Sequence, residues 1–280
     1  MNRLILGVLP CVLAACSTPS AVTTAPTPAP ASTAQAPVPA LSYEVILTKL
    51  ESPWDMAFLP DGTMFFTEKC HGLSVRQPGG AVVKLVGMKD VKGYSANAND
   101  LFCEGQAGMM GVAVDPNFAS NRFIYVYSTS SMTAPGTNRV MRLEVNDNAT
   151  GVTSRVDIVT DIPYKPRASD HPFGGPGAHN GGRLRFSPGD GYLYVTTGDT
   201  HNGEVPQSPT RIGGKVLRID RDGKAAPGNG APAGFDPRIY TYGHRNPQGI
   251  TFRPGTNQPY VAENGPWHTE QRTGRVVGGK

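Results

Sequence analysis

The chain has 280 residues and a formal net charge of +4, and only 17% of its residues are charged. Its basic side chains are scattered rather than clustered, which excludes a nucleic-acid surface built on a basic patch. An apolar run at the N-terminus, residues 4–13, is too short to cross a bilayer as a permanent helix.

Residues 1–15 carry one positive charge at Arg3, that apolar run, and then Leu13-Ala14-Ala15 before Cys16. This reads as a secretory signal peptide ending in a lipidation site, with Cys16 as the acylated mature N-terminus. A plain cleaved signal is the alternative. Lipid chains rather than a helix then hold the protein on the periplasmic side of a bacterial membrane, and Ser17 fits sorting to an outer membrane. Residues 16–42 are almost entirely Ser, Thr, Pro, Ala and Val without a single charge, so they form an extended tether that cannot build a core. The rest, 43–280, is long enough for one large all-β domain or two small ones.

Cys11 and Cys16 belong to the signal and its lipidation site, which leaves Cys70 and Cys103. Two cysteines in an exported protein are expected to pair as a disulfide. A metal pair is the weaker reading, because neither has a ligand set of recognisable spacing nearby.

Four segments of this domain share one pattern: an apolar strand, a Pro-containing turn and a second apolar strand. They are 54–58 with 64–68, 111–115 with 123–127, 183–187 with 192–196, and 249–253 with 259–263, marked by Pro60, Pro116, Pro188 and Pro254. Further alternating runs lie between, such as 139–145 and 215–220, and no long stretch carries a helical stripe. Repeated hairpin pairs with about four strands per unit predict an all-β fold of the β-propeller type; a β-sandwich is the alternative. In a propeller the loops before the first strand of each unit converge on one mouth of the central channel. Here those loops carry Gly105-Gln106-Ala107-Gly108, His179-Asn180-Gly181-Gly182 and His244-Arg245-Asn246-Pro247.

The last of these loops belongs to the most unusual segment of the chain. Gly243-His244-Arg245-Asn246-Pro247 is followed after one short strand by Glu263-Asn264-Gly265-Pro266. Ordinary turns need Gly or Pro, but they do not need Arg and Asn side by side before an apolar strand. Such a cluster of donors suits an anionic ligand.

Together with Pro53-Trp54, Leu59-Pro60-Asp61-Gly62, Gly105-Gln106, the block 179–184, Gly198-Asp199 and Gly213-Gly214-Lys215-Val216-Leu217-Arg218, this segment carries a resemblance. From about Tyr43 onward the chain resembles the soluble pyrroloquinoline-quinone (PQQ) dependent glucose and aldose sugar dehydrogenases, the glucose/sorbosone dehydrogenase family. The resemblance implies a six-bladed propeller with about four blades present in this chain, and PQQ over the channel mouth beside a calcium ion (Ca2+). It implies oxidation of the anomeric carbon of an aldose to a lactone, with the electron acceptor unspecified. His179 matches the general base, and an imidazole suits that work because it changes charge near neutral pH. Arg245 and Asn246 match quinone contacts, and a guanidinium there can also stabilise charge that develops in the reaction. Gln106 matches a side chain near the reacting carbon and the cofactor. Gly265 and Pro266 match positions whose backbone carbonyls hold the calcium, which needs oxygen ligands but no acidic side chain. His244 reads equally as a support of the site or as a purely structural residue.

Three departures stand out. Ala178 replaces the Asp that precedes the base in glucose-oxidising members, so the carboxylate that orients His179 either comes from elsewhere, with Asp170 as a candidate, or is absent. Glu270-Gln271 replaces an acidic pair, which puts a second calcium site in doubt. The sequence also stops short of the family's later blades, as an N-terminal fragment of a longer protein would. Two other functions stay open: a lipid-anchored propeller that binds carbohydrate or a protein without catalysis, and a calcium-dependent lactonase. The second needs side-chain carboxylates and amides converging on the metal, which the Gly-Pro arrangement fits poorly.

Overall fold

A computed structural model describes residues 40–169 and 174–265, together with the backbone of Trp267–Thr269 and Val276–Gly278. Cys16, Asp170, Pro266 and Glu270-Gln271 therefore lie outside the described residues. Residues 40–46 carry no regular structure, and all sheets belong to the unit Leu47–Lys280.

The first sheet runs in chain order through β1 (Pro53–Phe58), β2 (Met64–Glu68), β3 (Gly72–Arg76), β4 (Val82–Gly87) and the short parallel β5 (Ala96–Asn97). The second contains β6 (Met109–Val114), β7 (Phe123–Ser130), β8 (Thr137–Val145) and β9 (Val152–Ile162), with one helical turn, α1 (Phe118–Asn121), between β6 and β7. The third contains β10 (Gly181–Phe186), β11 (Leu193–Thr197), β12 (Lys215–Ile219) and β13 (Ile239–Tyr242). The hairpin β14 (Pro247–Phe252) and β15 (Pro259–Glu263) forms a fourth, and β16 (Trp267–Thr269) pairs with β17 (Val276–Gly278). Apart from β5, every pairing is antiparallel between consecutive strands. Each of the four sequence repeats is the opening hairpin of one sheet. In the first repeat the turn closes as its Pro60-Asp61-Gly62 sequence requires: the Gly62 amide donates to Leu59 O at 3.0 Å, and the Thr63 amide donates to Asp61 Oδ1 at 2.9 Å.

Strand alternation sends successive side chains to opposite faces, and here both faces are buried. In β7, Ile124 and Val126 pack with Phe65, Leu73 and Val75 of the first sheet, while Tyr125 and Tyr127 pack with Leu184 and Leu193 of the third. In β11, Val195 faces that second layer, and Tyr194 faces the other way onto Ile250 and Phe252 of the fourth sheet. The core is thus a series of apolar layers, one between each pair of consecutive sheets among the first four. The first strands lie side by side, β1 against β6, β6 against β10 and β10 against β14.

A single carboxylate pins this row of first strands. The Asp55 side chain on β1 is 2% exposed and accepts two bonds from Arg185 at 2.8 and 2.9 Å, and it also pairs with Arg183. Its Oδ2 also accepts from the Val112 amide of β6 at 3.0 Å. Arg183 stacks on Trp54 at 4.1 Å and donates from Nε to Gln248 O of β14 at 2.9 Å, so the network reaches the fourth sheet. A disulfide joins Cys70, in the turn between β2 and β3, to Cys103 in the loop before β6.

Two outcomes follow from these contacts. Asp55→Ala leaves two guanidinium groups without their shared anion, and urea unfolding is expected to show a loss of about 3–5 kcal/mol. Acid is expected to weaken the fold in a defined window. Burial would raise the carboxyls of Asp100, Asp115 and Asp236, but hydrogen bonds from Arg155, Arg221 and Arg238 hold them below the ordinary value. Because the folded values are the depressed ones, this stability is complete above the unfolded value of about 3.9 and drains away as the pH falls below it. Urea midpoints at pH 5 and pH 3 on the wild-type chain and on Arg155→Met, where the difference is expected to shrink, measure it.

Candidate active site

The loops that precede β6, β10 and β14 meet, as the repeat phase predicts. At their junction His179 Nδ1 lies 2.6 Å from Asp199 Oδ1, with both residues buried, 5% and 6% exposed. An ionised carboxylate at Nδ1 holds the proton on that nitrogen and leaves Nε2 with its lone pair, the form a general base needs. Asp199 is itself held: its Oδ1 accepts from the His201 amide at 2.7 Å, and its own amide donates to Arg245 O at 2.8 Å. The carboxylate that orients the imidazole is therefore Asp199, which follows β11. Asp199 stands twenty positions downstream of His179 and is brought alongside by the β10–β11 hairpin, while the candidate Asp170 lies outside the described residues.

The backbone here is strained. His179, Thr200 and His201 all adopt left-handed φ values, 54°, 57° and 60°, which non-glycine residues enter at a cost. The approach is also so close that a Cβ on Gly198 would fall 1.8 Å from His179 O, so only glycine fits before Asp199. The β10–β11 register shifts between Gly181 and Leu184, a bulge of the kind that re-aims side chains beside sites.

Gln106 Oε1 accepts from the His179 amide at 3.1 Å, which joins the first loop to the base. Asn246 is buried, and its Oδ1 accepts from the Gly181 amide at 3.0 Å. Its Nδ2 bonds no described residue. Arg245 donates from its backbone to Glu263 and from Nη1 to Asn264 O at 2.8 Å, and its guanidinium forms no ion pair with any described carboxylate. His244 is a strut, placed between Thr241 Oγ1 at 2.8 Å and Glu263 Oε2 at 3.0 Å. The His201 ring lies 4.5 Å from that of His179. Burial first and the neighbouring His179 second lower its pKa.

His179, Asp199, His201, His244, Arg245 and Glu263 line a cleft of about 690 Å³, within the usual range for a small-molecule site. A guanidinium without an ion pair among the described residues, beside two imidazoles, suits a flat ligand carrying carboxylates. The fit to calcium is less complete. Among the described residues no group of three or more His, Cys, Asp or Glu could hold a metal ion. Of the two carbonyl ligands expected from sequence, Gly265 is described and Pro266 is not.

The all-β scaffold of repeated hairpins thus brings a His–Asp pair and the Arg245 guanidinium, which has no ion pair among the described residues, into one cleft. The chain belongs to the Glucose / Sorbosone dehydrogenase family, which matches residues 50–271. It is 30% identical over 229 residues to the aldose sugar dehydrogenase of Escherichia coli, covering 81% of this chain and 57% of that protein. It is 27% identical over 263 residues to quinoprotein glucose dehydrogenase B of Acinetobacter calcoaceticus, covering 84% of this chain and 51% of that one. The structure of the PQQ-bound aldose sugar dehydrogenase of Streptomyces coelicolor superposes with a TM-score of 0.65 at 27% identity, covering 80% of this chain and 60% of that one. The chain thus spans little more than half the length of these relatives.

Asn246→Ala removes the acceptor that holds Gly181. Its expected effect is a loss of about 1–2 kcal/mol and faster hydrogen exchange at the Gly181 amide, read by thermal unfolding and by NMR.

Proposed function

We propose that the protein to which this chain belongs is a PQQ-dependent sugar dehydrogenase that oxidises the anomeric carbon of aldoses to lactones. The observation that carries this reading is that the His179–Asp199 pair and the Arg245 guanidinium, which has no ion pair among the described residues, line one cleft. His179 takes the proton of the anomeric hydroxyl at Nε2, and Asp199 holds the ring and offsets the imidazolium charge that results. Arg245 and the Asn246 amide bind and orient the anionic cofactor, and Gln106 steadies the loop that carries the base. When bound, PQQ supplies the acceptor for the hydride that leaves the same carbon.

The propeller reading goes with this function: the first four sheets would be successive blades of a six-bladed ring, closed by further blades. Met56 and Phe58 on β1, 54% and 57% exposed, are the apolar side chains such blades would cover. Calcium would sit against the carbonyls of Gly265 and Pro266, as a hard cation with oxygen ligands.

The test uses the protein as encoded, with any sequence that follows Lys280, supplied with PQQ and calcium. An aldose should then reduce an artificial acceptor. His179→Ala and Asp199→Asn are each expected to lower turnover by about 10²–10⁴-fold at unchanged far-UV circular dichroism, and a calcium chelator should abolish activity reversibly. Failure to bind PQQ would remove the enzyme reading, and full turnover in His179→Ala would remove the base.

A further inference from the structure

The Gly213-Gly214-Lys215 stretch lies beside this cleft, and none of the roles above uses it. Lys215 is wholly buried, and no carboxylate is paired with it among the described residues. Its Nζ donates to Val205 O at 2.8 Å, Pro206 O at 2.9 Å and Gly213 O at 2.9 Å. Three carbonyls consume all three N–H groups of an ammonium. Burial, with the charge of Arg211 adding to it, brings Lys215 down to about 8, so the group is still an ammonium at neutral pH.

Those carbonyls belong to the wall of the cleft. Pro206 lines it, and Pro206 O also accepts from the Gly243 amide at 3.1 Å. Gly214 O accepts from the His244 amide at 3.0 Å, and a Cβ on Gly214, at φ 63°, would come within 2.4 Å of His244 O. Lys215 therefore sits behind the two amides that lead directly into Arg245. Carbonyl oxygens that converge on one point repel each other unless a cation stands between them. Metal sites use an ion for this, and here the side chain supplies the charge.

We propose that Lys215 is a positioning residue, an internal cation that gathers the 205–206 and 213–214 segments and thereby fixes His244 and Arg245 opposite His179. The proposal rests on the cofactor reading only for its functional consequence, since the mechanical part concerns the ligand-free protein.

Hydrogen exchange on ligand-free protein tests it. In Lys215→Met, which keeps the length and loses the charge and donors, the Gly243 and His244 amides are expected to exchange at least about tenfold faster. The β11 amides should keep their rates, and PQQ affinity should weaken by a comparable factor. Unchanged exchange at Gly243 and His244, or equal acceleration through β11 and β12, would overturn the proposal. A second measurement needs no variant. In the wild-type chain the Lys215 ammonium should give a protected nitrogen-bound proton signal at neutral pH, lost in the same opening event as the Gly243 amide. Exchange of Gly243 while the ammonium stays protected would overturn it equally. If the exchange pattern holds but wild-type protein binds no PQQ, the cofactor reading fails and the role of Lys215 in the wall stands.

Discussion

The Asp55 carboxylate lies where the first strands of three sheets meet, and the order of the rest depends on it. Apolar layers between sheets supply most of the driving force, but burial is not directional and leaves the sheets free to slide. A buried anion shared by Arg183, Arg185 and the Val112 amide is directional. It sets β1, β6 and β10 in one register, and Arg183 carries that register on to β14 through Gln248. The loops before β6, β10 and β14 are extensions of these pinned strands. Their tips can therefore meet with the tolerance a hydrogen-bonded site requires.

What meets there is costly to hold. Three left-handed residues, a buried His–Asp pair and a buried ammonium are each unfavourable alone. They persist because neighbouring groups over-determine them: Gln106 and Asp199 on His179, the His201 amide on Asp199, and three carbonyls on Lys215. The arrangement separates two tasks. His244 and the Asn246 oxygen are engaged in joining loops, whereas Arg245 and His179 line the cleft.

Much of this was legible from residues. The four opening hairpins lie where period-two alternation and the Pro-marked turns place them, because alternation and turn chemistry are local properties. The three converging loops were legible for the same reason, since strand phase decides which end of a sheet a loop leaves from. Family resemblance pointed to His179, Gln106, Arg245 and Asn246, and they are within one hydrogen-bonded cluster. The carboxylate beside His179 was not legible, because only the β10–β11 pairing brings Asp199, twenty residues away, alongside it; the candidate Asp170 lies outside the described residues. Lys215 gave no signal of its own, because a lysine in an alternating strand reads as a solvated side chain.

The sequence by itself determined the all-β class, the repeat, the turns and the residue types of the site, since each depends on the chemistry of a few consecutive residues. Tertiary structure alone decided which acid serves His179, that Asn246 and His244 are partly struts, and that a lysine inside the chain supplies the charge behind the cleft wall. Those outcomes rest on contacts between residues far apart in the chain, where burial and strand register, rather than local preference, choose the partner.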